Sequence, residues 1–150
     1  MTIATNDLIV KFGTQTSVVS SGSLVSSTAM SIGADITALV NADDVQFASL
    51  VLVATFALAT TAGAVVNIHA RRLSVDGASS EAVPLAGSSG QYVGSFVCTG
   101  ATSEVLVADW VALDGLKTSQ STEFYLENVS GQNMSAGWTL KATPMTNGPK

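Results

Sequence analysis

Residues 124–144, FYLENVSGQNMSAGWTLKATP, constrain the fold more than any other part of the chain. Apolar side chains recur there at every second position, first around Leu126 and again from Trp138 onward, which is the spacing of a strand with one apolar face. Between these two runs, Gly131 tolerates positive φ and short polar side chains can bond their own backbone. Pro144 then removes a donor from the ladder. The segment predicts a β-hairpin of two consecutive strands, with one face apolar and the other open to water.

The rest of the chain carries the same strand pattern, without sustained helical periodicity. Turn pairs such as Asp43-Asp44, Asp76-Gly77 and Asp114-Gly115 separate the strand candidates. About eight short strands with turns between them predict an all-β fold, a single antiparallel β-sandwich or jelly roll. Besides the hairpin, strands are predicted at residues 45–57, 65–73, 91–98, 105–108 and 110–113, with weaker candidates at 7–12, 16–19 and 23–30.

At 150 residues the chain is long enough to form one domain around a single core. Residues 45–143 are predicted to form the sandwich core. Residues 1–44 are predicted to be a partly extended N-terminal segment that contributes strands or an interaction arm, and residues 144–150 a C-terminal tail. Aromatic side chains should anchor the core between the two sheets. The predicted anchors are Phe56, Phe96, Trp110, Phe124 and Trp138.

The charge of the chain argues against nucleic acid as a partner. The net charge is -5, the pI is about 4.5, and charged residues make up 11% of the chain. Phosphate binding needs clustered Lys and Arg. The basic pair Arg71-Arg72 would point to opposite faces of a strand, where each arginine is expected to pair with a carboxylate. So few charges also leave weakly polar surface, which indicates contact with other subunits.

The uncharged stretch at residues 45–68 is long enough to cross a bilayer as a helix. It is dense in Val and Thr, however, carries a turn sequence at residues 60–63 and ends in clean two-residue alternation. Two strands joined by a tight turn explain these features, so we expect no membrane partner. The N-terminal sequence also lacks the basic and apolar regions of a secretory signal, and we expect synthesis in the cytoplasm.

The sequence contains no catalytic, cofactor-binding or metal-binding motif, and we expect no enzyme activity. His69 is the only histidine; alternation places it at the surface, on the polar face of its strand, and no G-x-S-x-G nucleophile motif accompanies it. Cys98 is the only cysteine, so an intrachain disulfide or a cysteine-based metal cluster cannot form, and we expect it in the core. The carboxylates are scattered singly, without metal-ligand spacing: Glu81, Glu104, Asp109 and Asp114.

Two pieces of this sequence resemble a known class of structural proteins. YVGSF at residues 92–96 and FYLEN-x-SGQ-x-MSAGWTLK-x-TP at residues 124–144 are similar to β-sandwich proteins that decorate or cement the heads of tailed bacteriophages. The resemblance covers residues 45–150. It implies a virion structural protein on the outside of the major capsid shell, made in the host cytoplasm. It also implies the major capsid protein as partner and a homo-oligomer, such as a trimer, as the assembled form.

Two other functions fit the same sequence. A collar, neck or tail-associated virion protein would use the same fold. A carbohydrate-binding sandwich would need exposed aromatic platforms, for which Tyr92 and Tyr125 are the candidates. For capsid decoration, the predicted contact elements are residues 2–30 and 143–150, because both are poor in core-forming periodicity.

Overall fold

A computed structural model describes residues 8–40, 45–88, 91–113 and 120–149. Within these ranges the chain forms nine β-strands and a short 3₁₀ turn at Gly33–Asp35. No helix among these residues is long and apolar enough to cross a membrane. The strands are β1 (Leu8–Phe12), β2 (Thr16–Val19), β3 (Leu39–Val40), β4 (Phe47–Thr55), β5 (Val65–Leu73), β6 (Tyr92–Val97), β7 (Ser103–Ala112), β8 (Ser121–Val129) and β9 (Thr139–Pro149).

The strands form two antiparallel sheets, and the fold is a β-sandwich, as predicted. One sheet has five strands in the order β1-β9-β4-β7, with β2 also beside β9; the other has four strands in the order β3-β8-β5-β6. Alternate side chains of each strand point between the sheets and build the core. In β4, for example, Leu50 and Leu52 are completely buried, whereas Val53 on the opposite face is 43% exposed.

The predicted hairpin is wrong in its pairing, although both of its strands exist. β8 pairs with β5 and β3, whereas β9 pairs with β4, β1 and β2, so the two strands belong to opposite sheets. β4 and β5, which the sequence predicts as neighbours, are separated in the same way. Paired strands lie about 4.8 Å apart and packed sheets about 10 Å apart. Residues 130–138 connect β8 to β9 across the greater distance between the two sheets.

The C-terminal strand is longer than the sequence predicts. β9 continues through Pro144 to Pro149, because residues 145–149 pair with β1. Pro144 cannot donate to the ladder, but its carbonyl accepts a hydrogen bond from Gly13 N–H at 2.8 Å. One missing donor therefore does not end the strand when the neighbouring bonds are made.

The N-terminal segment closes one side of the core over residues 16–31. Val25 is only 2% exposed and forms a bridge with Met134. Trp138 Nε1 donates to Ser23 O at 2.7 Å. Gly22 lies so close to the Trp138 ring that a Cβ would be 2.0 Å from its Cε2 atom. This segment therefore belongs to the folded body.

Asn128 holds this N-terminal segment to the connection between β8 and β9. The residue is completely buried. Its Nδ2 donates to Val25 O at 3.0 Å and to Gln132 O at 2.7 Å, and its Oδ1 accepts from Ser130 N–H at 3.2 Å and Ser130 Oγ at 2.7 Å. All four hydrogen-bonding positions of the amide are therefore used.

Four of the five predicted aromatic anchors are confirmed as core residues. Each of the four is at most 1% exposed, whereas Trp110 is 47% exposed and lies outside the core. The four buried anchors are Phe56, Phe96, Phe124 and Trp138.

Replacing Trp138 with Ala should lower the free energy of unfolding by about 3–5 kcal/mol, the range for large aromatic side chains in cores. Trp110→Ala is the matched control, because it removes the same ring from a half-exposed position and should cost much less. Urea unfolding followed by circular dichroism measures both variants. Equal losses would contradict the placement of Trp138 in the core.

Asn128→Asp should lower the free energy of unfolding by about 1–3 kcal/mol, because a carboxylate would turn an acceptor towards the carbonyls of Val25 and Gln132. Asn133→Asp is the control, since Asn133 Oδ1 accepts from Ser27 N–H at 2.9 Å and a carboxylate oxygen accepts equally well. Thermal unfolding at neutral pH compares the two variants. If both melted like the wild type, the amide hydrogens of Asn128 would have no part in holding the segments together.

Candidate functional site

The outer face of the five-stranded sheet is apolar across two neighbouring strands. Val51 in β4 lies opposite Val107 in β7, and Val53 lies opposite Val105. Val53, Val105 and Val107 are 43%, 69% and 55% exposed, respectively. We call these four valines together with Trp110 the apolar face; the hydrogen-bonded pair Ser49 and Asp109 lies between the valines and Trp110. Large contiguous apolar patches on the surface of a protein mark contacts with other molecules, which makes this face a candidate contact surface.

Trp110 reaches this face through a β-bulge, which is why its predicted place in the core is wrong. The register of β4 and β7 shifts so that Asp109 and Trp110 together lie opposite Ser49. β7 is thus one strand where the sequence predicts two. Trp110 has a φ of 58°, a strained conformation for a bulky residue. Its ring packs edge-on against Phe47, with the ring centroids 5.5 Å apart.

His69 lies on the outer face of the four-stranded sheet, but it is 1% exposed, so its prediction as a surface residue is wrong. Its Nε2 is 3.3 Å from Glu127 Oε2. The same carboxylate accepts from Asn67 Nδ2 at 3.0 Å and from Gly87 N–H at 2.6 Å. Burial raises the pKa of Glu127, but these hydrogen bonds outweigh it and hold the pKa below its ordinary value. The contacts fasten the loop around Gly87 to the sheet.

Arg71 and Arg72 each pair with a carboxylate, as predicted. Arg71 donates to Glu123 Oε2 at 3.1 Å. Arg72 forms an ion pair with Glu81 and also donates to that carboxylate from its backbone N–H at 2.9 Å. Hydrogen bonds from Arg72 lower the pKa of Glu81 despite its partial burial. Both guanidinium groups are therefore engaged within the fold.

Glu104 is a buried carboxylate at the corner between β6 and β7, with 3% of its surface exposed. It accepts from the Thr60 hydroxyl at 2.6 Å, from Thr99 N–H at 2.9 Å and from the Thr99 hydroxyl at 2.8 Å. Ala101 N–H adds a further bond at 3.2 Å. Burial raises the pKa of Glu104, but these hydrogen bonds more than offset it, so the pKa is lowered. Glu104 therefore holds Thr60 and residues 99–101 together, and we call this set of hydrogen bonds the Glu104 clasp.

Cys98 is 2% exposed and belongs to the core, as predicted, and burial raises the pKa of its thiol. Within the described ranges, no three His, Cys, Asp or Glu side chains come together closely enough to hold a metal ion. The predicted turn pairs Asp43-Asp44 and Asp114-Gly115 lie outside the described residues.

A cavity of about 520 Å³ lies between the ends of β5, β6, β7 and β8. Its lining includes Arg72, Glu81 and Thr122. Thr122 is 1% exposed, and its Oγ1 has no hydrogen-bond partner among the residues that the structure describes. Sequence reasoning missed this site, because Thr122 continues the alternation of β8 like any core position and carries no motif.

The two tyrosines proposed as aromatic platforms differ in exposure. Tyr92 is 50% exposed, as predicted. Tyr125 is 1% exposed, so its prediction as a surface platform is wrong. Its hydroxyl donates to Glu123 Oε2 at 3.0 Å, and Gly33 lies close above that hydroxyl. The N-terminal segment thus covers the side chain that alternation turns outward.

Comparison with known proteins assigns no family to the chain. No protein-family model matches it, and no curated protein matches it significantly. A function therefore has to be inferred from the structure itself. Its two candidate features are the apolar face, which includes the strained Trp110, and the cavity at Thr122.

The Glu104 clasp predicts a pH dependence of stability. Because the folded state lowers the pKa of Glu104, its contribution is fully present above the ordinary pKa of 4.5 and is lost as the pH falls through the folded-state value. Glu104→Gln should cost about 1–3 kcal/mol at neutral pH, since the amide nitrogen would replace one of the two oxygens and face either Thr99 N–H at the Oε2 position or Ala101 N–H at the Oε1 position. Urea unfolding across the pH range measures the difference. A difference from wild type that persisted undiminished in strong acid would contradict this role.

Proposed function

We propose that this chain is a structural protein of a phage virion, a capsid decoration or cement protein that binds the outside of the major capsid shell. The observation that carries the proposal is the apolar face, in which two rows of exposed or half-buried valines pair across β4 and β7 and Trp110 follows farther along the same strands. Such a face favours burial against another protein surface. The resemblance of residues 92–96 and 124–144 to decoration proteins supplies the class of partner.

Attachment through this face would stabilise the shell by burying apolar surface at many copies. A subunit that bridges neighbouring capsid proteins adds contacts that must all break before the shell opens. In a homo-oligomer such as a trimer, avidity raises the strength of a weak single contact by roughly 10²–10⁴-fold. Because the contact is apolar, its strength should depend little on salt concentration, unlike a contact made by surface charges.

We propose the apolar face as the contact with the shell, in place of the predicted contact elements at the termini, of which residues 2–7 and 150 lie outside the described residues. Residues 16–30 lie along the core, and residues 145–149 pair with β1. Among the described strands, β1 has a single neighbour, β9, and its other edge is open to a strand from a second copy. We therefore propose that the apolar face contacts the capsid shell and that the open edge of β1 pairs with a second copy of the chain.

The alternative location for this protein is the collar, neck or tail of the virion. A collar, neck or tail-associated protein would use the same apolar face against a different ring of subunits. Labelled density in intact virions separates the two locations, because a decoration protein repeats over the whole head whereas a neck or tail protein occurs at one vertex or along the tail.

Val107→Lys should reduce occupancy on empty capsids by about tenfold or more. Burying position 107 against the shell would then require the desolvation of an ammonium group. Val97→Lys is the matched control: Val97 is 58% exposed against 55% for Val107, and it lies on the four-stranded sheet. Co-sedimentation with capsids measures occupancy, and circular dichroism checks that both variants are folded.

Full occupancy of Val107→Lys would show that the apolar face does not bind the shell. Light scattering of the same variant after size-exclusion chromatography reports the oligomer. Loss of the oligomer together with loss of binding would place the apolar face between subunits, and the shell contact would then lie elsewhere.

A further inference from the structure

The five-stranded sheet has two edges that lack a neighbouring strand among the described residues. β1 lies at one edge, beside β9, and β7 lies at the other, beside β4. The β2 part of the first edge is covered, because Thr37 N–H donates to Val18 O at 2.7 Å. Backbone groups along an open strand edge can pair with a strand of another chain. β1 and β7 are therefore the two places where a second copy can extend this sheet.

The open edge of β7 is regular over residues 103–107, before the β-bulge of this strand. Phe56 N–H donates to Thr102 O at 2.8 Å, so these two residues form a hydrogen-bonded pair. Because hydrogen-bonded pairs alternate with non-hydrogen-bonded pairs along an antiparallel ladder, residues 104 and 106 bond to β4. Pro and Lys, which commonly protect strand edges, do not occur in this stretch. The backbone groups that point to the open edge are those of Ser103, Val105 and Val107.

β1 is also five residues long and presents alternate residues to its own open edge. Gly13 N–H donates to Pro144 O at 2.8 Å, and the alternation then assigns residues 9 and 11 to the bonds with β9. Val10 and Phe12 are 38% and 65% exposed, so apolar side chains lie beside this edge. The backbone groups that point to the open edge are those of Leu8, Val10 and Phe12.

The edge-facing residues of both strands belong to the outer face of the sheet. Phe12 and Phe47 lie opposite Met145 from its two sides, and opposite residues of neighbouring strands share a face. Val53 alternates with Phe47 along β4 and lies opposite Val105. A strand pair between the two edges would therefore continue the apolar face from one copy into the next.

The two edges match over five residues when β1 of one copy runs antiparallel to β7 of another. Val10 then lies at the centre, opposite Val105, and two valines meet across the contact. Each opposite pair of edge-facing residues would exchange both of its backbone hydrogen bonds. Apolar cross-strand pairs stabilise such a ladder further. The flanking pairs in this register are Ser103 with Phe12 and Val107 with Leu8.

Charge favours the pairing of unlike edges in this register. Lys11 comes to lie opposite Glu104, on the face of the sheet that points to the core. Lys11 is exposed, and the three ion pairs of the described residues do not include it. Opposite charges across an antiparallel pair stabilise it, and like charges destabilise it. Two copies of β1, or two copies of β7, would not bring these two residues together.

We propose that the homo-oligomer is a head-to-tail ring in which β1 of each subunit pairs with β7 of the next. This inference rests on the proposed function for the existence of a homo-oligomer and names the partner of its β1 edge. A head-to-tail contact that closes into a ring uses both open edges of every subunit. A two-fold pairing of like edges would instead leave one edge of each subunit open. The ring also joins the apolar faces of neighbouring subunits into one continuous surface.

The test is disulfide trapping of the full chain in the absence of capsids. A double variant, Val10→Cys with Val105→Cys, carries one cysteine at the centre of each edge. In a hydrogen-bonded pair the Cα atoms lie about 5.5 Å apart, which is within the range of a disulfide. Within one subunit the two edges are three strand spacings, or roughly 14 Å, apart, so an intrachain disulfide cannot form. Mild oxidation should therefore give covalent oligomers on a denaturing gel.

The matched controls are the two single variants, Val10→Cys and Val105→Cys. Each has a cysteine on one edge only, so neither should form covalent oligomers in a head-to-tail ring. The wild type controls for Cys98, which is 2% exposed and should stay reduced. Circular dichroism checks that every variant is folded, and light scattering after size-exclusion chromatography gives the mass of the native oligomer.

Reversing the charge of Lys11 tests the register. Lys11→Glu places two carboxylates opposite each other and should weaken subunit association by about fivefold or more. Lys141→Glu is the control, because Lys141 is another exposed lysine of the same sheet and the change in net charge is the same. It should leave the concentration at which the oligomer dissociates unchanged. Equal effects of the two variants would contradict the pairing of Lys11 with Glu104.

Three results would overturn the ring. The first is covalent oligomers from either single variant, which would show that like edges meet. The second is a double variant that stays uncrosslinked, whether light scattering finds an oligomer or a monomer. The third is a native mass that grows without limit as the concentration rises, because a head-to-tail contact that does not close forms open chains. Loss of capsid occupancy with trapping intact would contradict the shell contact alone.

Discussion

The sandwich depends on one buried amide at the point where the chain leaves one sheet for the other. Asn128 lies at the end of β8, and its Nδ2 holds the carbonyls of Val25 and Gln132 while its Oδ1 holds Ser130. Either segment alone would leave part of a buried amide unpaired, which is more costly than a missing apolar contact of similar size. The N-terminal segment and the connection to β9 must therefore be in place together. Trp138 then packs beside Gly22 and closes the core.

Two-residue alternation predicted the strands and most of the core, but it did not predict which strands pair. The apolar faces of β8 and β9 look alike whether they lie side by side or across the core, because both arrangements bury the same residues. The turn sequence around Gly131 is compatible with both. Pro144 was similarly insufficient to end β9, since a strand loses a single bond there and keeps the next ones to β1.

The sites were harder to predict than the fold, because they depend on local departures from regular alternation. His69 lies on the predicted face, yet it is covered by a loop whose Gly87 N–H donates to Glu127, the residue that also contacts His69. Trp110 lies on the face opposite to its prediction, because a bulge adds one residue to β7. The cavity at Thr122 arises where four strand ends meet, and this meeting point depends on the pairing that alternation leaves open.

The two outer faces of the sandwich differ in how far their side chains are covered, and this difference bears on function. Over the four-stranded sheet, the Arg72–Glu81 ion pair and hydrogen bonds hold a loop that buries polar side chains such as His69 and Glu127. On the five-stranded sheet, the valines of β4 and β7 stand in register in the open, beside a tryptophan at positive φ. The exposed apolar rows favour burial against a partner over an isolated subunit, whereas the backbone strain at Trp110 is a cost that the fold carries in either state. A partner surface that covers Trp110 and the valines would remove their exposed apolar surface from water, and the orientation that the positive φ gives Trp110 would then serve that contact.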